Sequence, residues 1–226
     1  MQCVDHSSPP ACGSTANAAQ AKQPEPRKRV MQMVAKQFDY HAVKDSVTQA
    51  GSTLDNLKAA VTGETGASAM YAACAEQAAK EGYNQLARLW RCTSAAEQIH
   101  INFEYNLVSE LDPEWEKPVA EYVPVPEIDL DLIASAKGEI YETSDMYPTF
   151  IRIAKEEGNE KAAAAFTRAK LAEAYHAERY LDAYTNLATP SDETYYLCPI
   201  CGYIHKGKTD QPCPICGCPA DKFVAY

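Results

Sequence analysis

Glu97-Gln98-Ile99-His100 and Glu173-Ala174-Tyr175-His176 are the two stretches that decide the fold of this chain. Each tetrad lies in a long segment with helical periodicity, and residues three apart lie on the same face of a helix. Each tetrad therefore directs one carboxylate and one imidazole toward a common point. Two such helices that face each other supply the ligands of a two-metal site inside a four-helix bundle.

Four segments of the chain carry an apolar stripe with alternating three- and four-residue steps, at about residues 52–82, 83–111, 128–157 and 160–187. This spacing predicts four helices that face one core. A proline-rich connection follows the second segment and is long enough to carry the chain across the bundle. Pro148 is expected to kink the third helix.

Carboxylates interrupt all four apolar stripes near their middle. A single glutamate on such a stripe is most simply a boundary residue or half of an ion pair. Several at once, without lysines or arginines facing the core, are too costly to bury unless cations neutralise them. Carboxylate and imidazole ligands suit iron or manganese. The predicted ligands are Glu64, Glu97, His100, Glu139, Glu142, Glu173 and His176.

Three other residues lie near the predicted ligands on these stripes. Glu104 lies one turn beyond His100, and it is either a partner of a ligand or an exposed residue. Tyr71 and Tyr147 are placed to hydrogen-bond to a ligand carboxylate or to a bound substrate. Because the chain has 14 tyrosines, chance placement in the core is the alternative for both.

A second metal signature lies near the C-terminus, where Cys198-Pro-Ile-Cys201 is followed by Cys213-Pro-Ile-Cys216. Two such pairs give tetrahedral sulfur coordination of zinc or of one iron. The spacing alone favours structural zinc somewhat. The flanking aromatic residues and the neighbouring redox-capable site favour iron, because a redox site needs an electron source and zinc cannot be one.

The number and spacing of the cysteines narrow the class of protein. Nine cysteines, an odd number, with four of them in C-x-x-C pairs, favour metal ligation in a reducing compartment over a disulfide framework. Cys74 and Cys92 are expected to be buried thiols. Cys3, Cys12 and Cys218 have no assigned role, although a lipid-bearing Cys3 behind a removed leader is a less favoured alternative.

Composition also limits the classes of partner and the cellular location that we expect. A net charge of −10 argues against nucleic acid or an anionic membrane as the main partner. No apolar run approaches the ~18 residues of a spanning helix. The N-terminus lacks the apolar core of a signal peptide, so we expect a cytoplasmic protein.

The chain resembles the rubrerythrin family over about residues 50–226. The resemblance is carried by Gly-Glu-Thr-Gly-Ala at 63–67, by Gly-Glu-Ile-Tyr-Glu-Thr-Ser-Asp-Met-Tyr-Pro at 138–148, and by Cys-Pro-Ile-Cys-Gly-Tyr-Ile-His-Lys-Gly at 198–207. The chain also resembles the family in the stretch Gly-Ser-Thr-Leu-Asp-Asn-Leu-Lys-Ala-Ala, which begins at Gly51.

The resemblance implies an all-α ferritin-like four-helix bundle with a small C-terminal rubredoxin-like β/knuckle domain. The expected division is an N-terminal extension over 1–50 that is partly disordered, a di-iron bundle over 51–190, and a four-cysteine iron domain over 195–226. Cys198, Cys201, Cys213 and Cys216 match the family's rubredoxin-type ligands. Cys218 has no counterpart in that pattern.

The same resemblance implies roles at the two-metal site. Glu97 and Glu173 would bridge two irons. Glu64 would bind the first iron, with His100 and Glu142 exchanging as its ligand when the redox state changes.

The remaining ligands of the second iron would be Glu139 and His176. Tyr71 and Tyr147 match tyrosines that hydrogen-bond near the irons of family members.

The activity implied is a non-haem di-iron peroxidase that reduces hydrogen peroxide to water in oxidative-stress defence. Electrons would come from a separate NAD(P)H-dependent reductase or a rubredoxin, since the chain has no Gly-rich nucleotide-binding fingerprint. The family likeness also implies a homodimer in which one subunit's cysteine domain serves the partner's di-iron site. The alternatives are a ferroxidase or iron-handling ferritin-like protein, and a redox-responsive binding protein with structural zinc.

Overall fold

A computed structural model describes residues 46–226. Residues 1–45 of the predicted N-terminal extension, with Cys3 and Cys12, lie outside the described part of the chain. The expected domain limits also stay a prediction.

The described chain contains five α-helices. They are α1 (Thr53–Lys80), α2 (Asn84–Leu111), α3 (Ile128–Tyr141), α4 (Tyr147–Glu156) and α5 (Glu160–Thr185). Ser52 caps α1 through a capping box, in which Ser52 and Asp55 each bind the other's backbone N–H. Asn159 caps α5 by accepting a hydrogen bond from the backbone N–H of Ala162.

A π-helical segment, Glu142–Met146, joins α3 to α4, so these three pieces form the third arm of the bundle. The N–H of Tyr147 donates to the carbonyl of Glu142, a bond that spans five residues. The irregularity predicted at Pro148 takes the form of this wider turn, which ends two residues before the proline. Pro148 itself lies in the first turn of α4, where a missing N–H is tolerated.

Two apolar clusters fill the bundle, and every arm passes from one to the other. The first cluster includes Trp90, Leu132 and Tyr180, and the second includes Leu57 and Phe166. The segments between them carry buried glutamates and histidines. The apolar clusters thus hold a polar layer at the middle of the bundle.

The C-terminal module, residues 195–226, is a three-stranded antiparallel sheet in the order β2-β1-β3. Its strands are β1 (Tyr195–Leu197), β2 (Ile204–Lys206) and β3 (Val224–Ala225), with a short 3₁₀ turn at Ala220–Lys222 before β3.

This module packs directly on the bundle. Tyr195, Leu197 and Ile204 are buried in the first apolar cluster together with residues of the helices. Lys206 also forms an ion pair with Asp182 of α5, at 2.6 Å. The predicted fold class, a four-helix bundle with a small cysteine-bearing β domain, is confirmed.

Across residues 46–226, no helix is both long and apolar enough to cross a membrane.

Candidate metal centre

Six of the seven predicted ligands come together in the polar layer of the bundle. Two overlapping groups have ligand atoms that all lie within 4.8 Å of one another. The first group is Glu64, Glu97, His100 and Glu173, and the second is Glu97, Glu139, Glu173 and His176. All six side chains are fully buried. Because Glu97 and Glu173 belong to both groups, they are the residues placed to bridge two ions.

Around His100, three carboxylates approach the same ring nitrogen. Its Nδ1 lies 2.7 Å from Oε1 of Glu173, 3.1 Å from Oε2 of Glu97 and 3.5 Å from Oε1 of Glu64. Each of the two shared glutamates thus presents one oxygen on this side of the site.

Around His176, the arrangement is repeated with the other oxygens of the shared glutamates. Its Nδ1 lies 2.7 Å from Oε2 of Glu173, 3.6 Å from Oε1 of Glu97 and 3.5 Å from Oε2 of Glu139. The two imidazoles are nearly parallel, with ring centroids 6.0 Å apart. The site therefore has two matched halves, one on each Glu-x-x-His tetrad.

These close atoms do not form hydrogen bonds with one another. Both oxygens of Glu97, both oxygens of Glu173, and Nδ1 of His100 and of His176 are buried without a hydrogen-bond partner among the described residues. Buried polar atoms are rarely left so. Lone pairs that converge on common points without hydrogen bonds are the arrangement that metal ions require, so the residues fit a pair of ions.

The other nitrogen of each imidazole fixes which nitrogen is free to bind metal. Nε2 of His100 donates to the backbone carbonyl of Cys201 at 3.1 Å, and Nε2 of His176 donates to the carbonyl of Gly202 at 2.8 Å. With the proton held on Nε2, the lone pair of each Nδ1 faces the carboxylates. Sequence reasoning missed these two carbonyls, because a backbone acceptor leaves no residue-type signal.

Burial sets the electrostatics of the layer. It raises the pKa of Glu64 and of Glu139 well above the usual range, and neighbouring glutamates raise both further. A cluster of buried glutamates with raised pKa values favours the uptake of cations, because bound cations stabilise the ionised carboxylates. No lysine or arginine takes part in the ion pairs found at the described site.

Glu142 is the one predicted ligand that lies outside both groups. It begins the π-helical segment and is 8% exposed, and burial raises its pKa well above the ordinary value. The structure thus leaves it near the site but apart from the converging atoms.

Both predicted tyrosines donate hydrogen bonds to glutamates of the layer. The hydroxyl of Tyr71 donates to Oε1 of Glu139 at 2.6 Å, and that of Tyr147 donates to Oε1 of Glu64. Glu104, which the sequence left undecided, is fully buried and lies 3.0 Å from the Tyr147 hydroxyl. It is therefore a partner of the site and not a surface residue.

The four cysteines of the two C-x-x-C pairs form a separate cluster in the C-terminal module. The Sγ atoms of Cys198 and Cys216 lie 3.5 Å apart, and those of Cys201 and Cys213 lie 3.4 Å apart. Both distances are far longer than the roughly 2.05 Å of a disulfide. They are close to the edge of a tetrahedron with metal–sulfur bonds of about 2.3 Å, so the cluster fits one tetrahedral ion.

The other described cysteines are free thiols. Cys74 and Cys92 are buried in the helical core, as predicted. Cys218 packs in the same apolar cluster as Cys198.

The comparisons with known proteins agree with this geometry. A family model described as Rubrerythrin matches residues 55–184. Nigerythrin from Nitratidesulfovibrio vulgaris is 58% identical over 188 residues, which cover 83% of this chain and 93% of that protein. The chain belongs to the rubrerythrin family. Rubrerythrin of the same organism is 33% identical over 178 residues, covering 76% of this chain and 92% of that protein.

Solved structures of nigerythrin share the fold of this rubrerythrin-family chain. The fully reduced, all-ferrous state matches with a TM-score of 0.80 and 58% identity, over 83% of this chain and 93% of that one. The mixed-valent state matches with a TM-score of 0.78 and 59% identity over the same shares. Family membership and the two clusters together identify a di-iron centre and a rubredoxin-type iron as the cofactors.

Proposed function

We propose that this chain is a non-haem di-iron peroxidase, which reduces hydrogen peroxide to water with electrons relayed through an iron bound by four cysteines. One observation carries this function: the cysteine module contacts both histidines of the carboxylate cluster. The carbonyl of Cys201, itself a predicted iron ligand, accepts the hydrogen bond of His100. A redox pair of metals needs a source of electrons, and the module lies against its ligands.

Each residue of the cluster has a proposed role at the iron pair. Glu97 and Glu173 would hold both irons, because each offers one oxygen to either side of the site. Glu64 and His100 complete the first position. When bound, the iron pair supplies two electrons to hydrogen peroxide as its O–O bond breaks.

The second position and the exchangeable ligand follow from the same arrangement. Glu139 and His176 complete the second position. Glu142 would replace His100 in holding the first iron in one redox state, a role supported by its place beside the cluster at the start of a π-helical turn. Such turns are frequent at functional sites.

The chain's own residues orient the ligands and keep water out. The module's carbonyls hold both imidazoles in one tautomer and one orientation. The hydroxyls of Tyr71 and Tyr147 each hold a proton beside a ligand carboxylate. Because the whole layer is buried between two apolar clusters, charges within it interact strongly.

Electrons enter through the cysteine module. Cys216 is partly exposed, and Ile200 between the first pair of cysteines is 52% exposed, so this edge of the module is open to a donor. We propose an external reductase or rubredoxin as that donor. With iron bound at both sites, the hydrogen bond between Cys201 and His100 would connect them.

This contact lies within one chain, which differs from the expectation that a partner subunit's module serves the site. The module is held to its own bundle by the buried Tyr195, whose hydroxyl accepts a hydrogen bond from Gln85 at 3.3 Å, and by the ion pair of Lys206 with Asp182. We retain the homodimer as a proposal that sedimentation equilibrium of the metal-loaded protein would test. A reducing, cytoplasmic location is proposed with it, because it suits seven described cysteines that form no disulfide.

A ferroxidase or iron-storage role is not favoured. Such a protein needs a di-iron site but no separate source of electrons. The contact of the cysteine module with both histidines would then serve no function.

The function is tested by mixing anaerobically reduced protein with hydrogen peroxide and, separately, with oxygen, while both iron centres are followed optically. We expect peroxide to oxidise the di-iron site at least about a hundredfold faster than oxygen, a rate difference of about 2.7 kcal/mol in activation free energy. A faster reaction with oxygen would show an oxidase or ferroxidase instead.

A further inference from the structure

The hydroxyl of Tyr147 lies between two buried carboxyl groups. It is hydrogen-bonded to Oε1 of Glu64 and, at 3.0 Å, to Oε1 of Glu104. All three side chains are fully buried.

The two contacts of this hydroxyl favour a protonated carboxyl group. A phenol has a single hydrogen to donate and can accept hydrogen bonds through its oxygen. If both carboxyl groups were ionised, they would have to share that one hydrogen. Each contact has its own hydrogen when one carboxyl group carries a proton and donates it to the tyrosine oxygen.

The proton belongs to Glu104. Glu64 is a proposed metal ligand, and a carboxylate that binds metal is deprotonated. The second oxygen of Glu104 is buried without a hydrogen-bond partner in the described structure, which is far less costly for a neutral acid than for a carboxylate. The pKa of Glu104 is also raised to about 8, chiefly by burial and in part by the charges of Glu173 and Glu97, against the lowering effects of His100 and of the hydrogen bond with Tyr147.

We propose that Glu104 stores one of the two protons that peroxide reduction consumes and delivers it through the hydroxyl of Tyr147. This inference rests on the proposed function. In the reaction, HOOH, two electrons and two protons give two molecules of water: the O–O bond breaks and two O–H bonds form. When bound, the iron pair would provide the electrons. Tyr147 gives one proton and takes that of Glu104 in its place. The other proton comes from the bulk solvent, which also reprotonates Glu104 between turnovers.

Tyr71 shows why the two tyrosines are not equivalent. Its hydroxyl donates to Glu139, but the described structure places no second carboxyl group on that hydroxyl. Tyr71 can therefore orient a ligand, but no protonated carboxyl group is bonded to its hydroxyl to replace a proton that it gives up. Glu104 is thus a positioning and proton-holding residue that acts through Tyr147 alone.

The test compares Glu104→Gln with Glu110→Gln, a change of an exposed glutamate on the same helix that pairs with Lys161. Infrared difference spectra of the iron-loaded wild type should contain the carbonyl stretch of a protonated carboxyl group that shifts in heavy water. Glu104→Gln should lose this band, and Glu110→Gln should keep it. Absence of any band that depends on Glu104 would overturn the proposal, whatever the protein's activity.

The rate of oxidation by peroxide provides a second test. Oxidation of the reduced di-iron site by peroxide should slow at least about tenfold in Glu104→Gln, at the low end of what proton transfer by a positioned acid contributes. Tyr147→Phe should slow it similarly, and the double variant should be no slower than either single one, because both act on one path. An unchanged rate in an iron-loaded Glu104→Gln protein, or fully additive losses, would contradict the relay. Failure of the wild type to prefer peroxide over oxygen would instead contradict the proposed function.

Discussion

Replacing Glu97 with alanine is expected to abolish binding of the iron pair and peroxidase activity, while the thiolate-bound iron remains. Glu97 offers one oxygen to each half of the site, and neither oxygen has another partner among the described residues. Its loss would therefore remove a proposed ligand from both irons at once. The four cysteines proposed to bind the other iron form a separate cluster in the C-terminal module, which does not include Glu97.

Iron analysis and the visible absorption of the thiolate-bound iron measure the two outcomes separately. The iron content should fall to one per chain, with the thiolate absorption unchanged, which would also show that the module remains folded. Glu110→Ala, an exposed position on the same helix, should keep full iron content. Full activity in an iron-loaded Glu97→Ala protein would rule out the bridging role.

Gly202→Ala is expected to uncouple the two metal sites. Gly202 has φ of +80°, and a Cβ atom there would lie 2.4 Å from Nε2 of His100. No real Cβ contact is this short, so the cysteine loop or the imidazole must shift. Either shift disturbs the hydrogen bonds from the two histidines to the module. The substitution therefore acts on the contact proposed to carry the electron.

Two half-reactions, measured separately, distinguish slower electron transfer between the sites from a loss of reactivity with peroxide. Oxidation of the chemically reduced di-iron site by peroxide should persist, whereas its re-reduction through the module should slow about ten- to a hundredfold, the cost of misplacing a group by about an ångström. Gly217→Ala is the matched control: its φ is +73° and no atom lies within 4 Å of its Cβ position. Both variants carry a similar backbone strain of about 1–2 kcal/mol. Equal re-reduction rates in the two would refute the coupling.

Much of this architecture could be predicted from the sequence because its signals are local. The helical spacing of the apolar stripes indicated the four arms of the bundle, and each glutamate that interrupted a stripe lies in the buried layer. The C-x-x-C pairs likewise indicated a tetrahedral sulfur site, because short spacing within a knuckle determines its geometry.

What the sequence did not predict depends on contacts between distant parts of the chain. The carbonyls of Cys201 and Gly202 reach His100 and His176 only after the module packs on the bundle. The burial of Glu104 was left open because its place on the stripe is compatible with either a partner or a surface residue. The π-helical turn before Pro148 depends on the packing around it, and a proline predicts an irregularity without its form.

We infer that the iron pair reduces peroxide and that the thiolate-bound iron then supplies it with electrons. The decisive measurement mixes fully reduced protein with one equivalent of hydrogen peroxide and follows the thiolate-bound iron over time. We expect this iron to oxidise only after the di-iron site, at a rate that does not depend on protein concentration. Oxidation of the thiolate-bound iron before the di-iron site, or no oxidation of it at all, would show that the electrons do not follow this path.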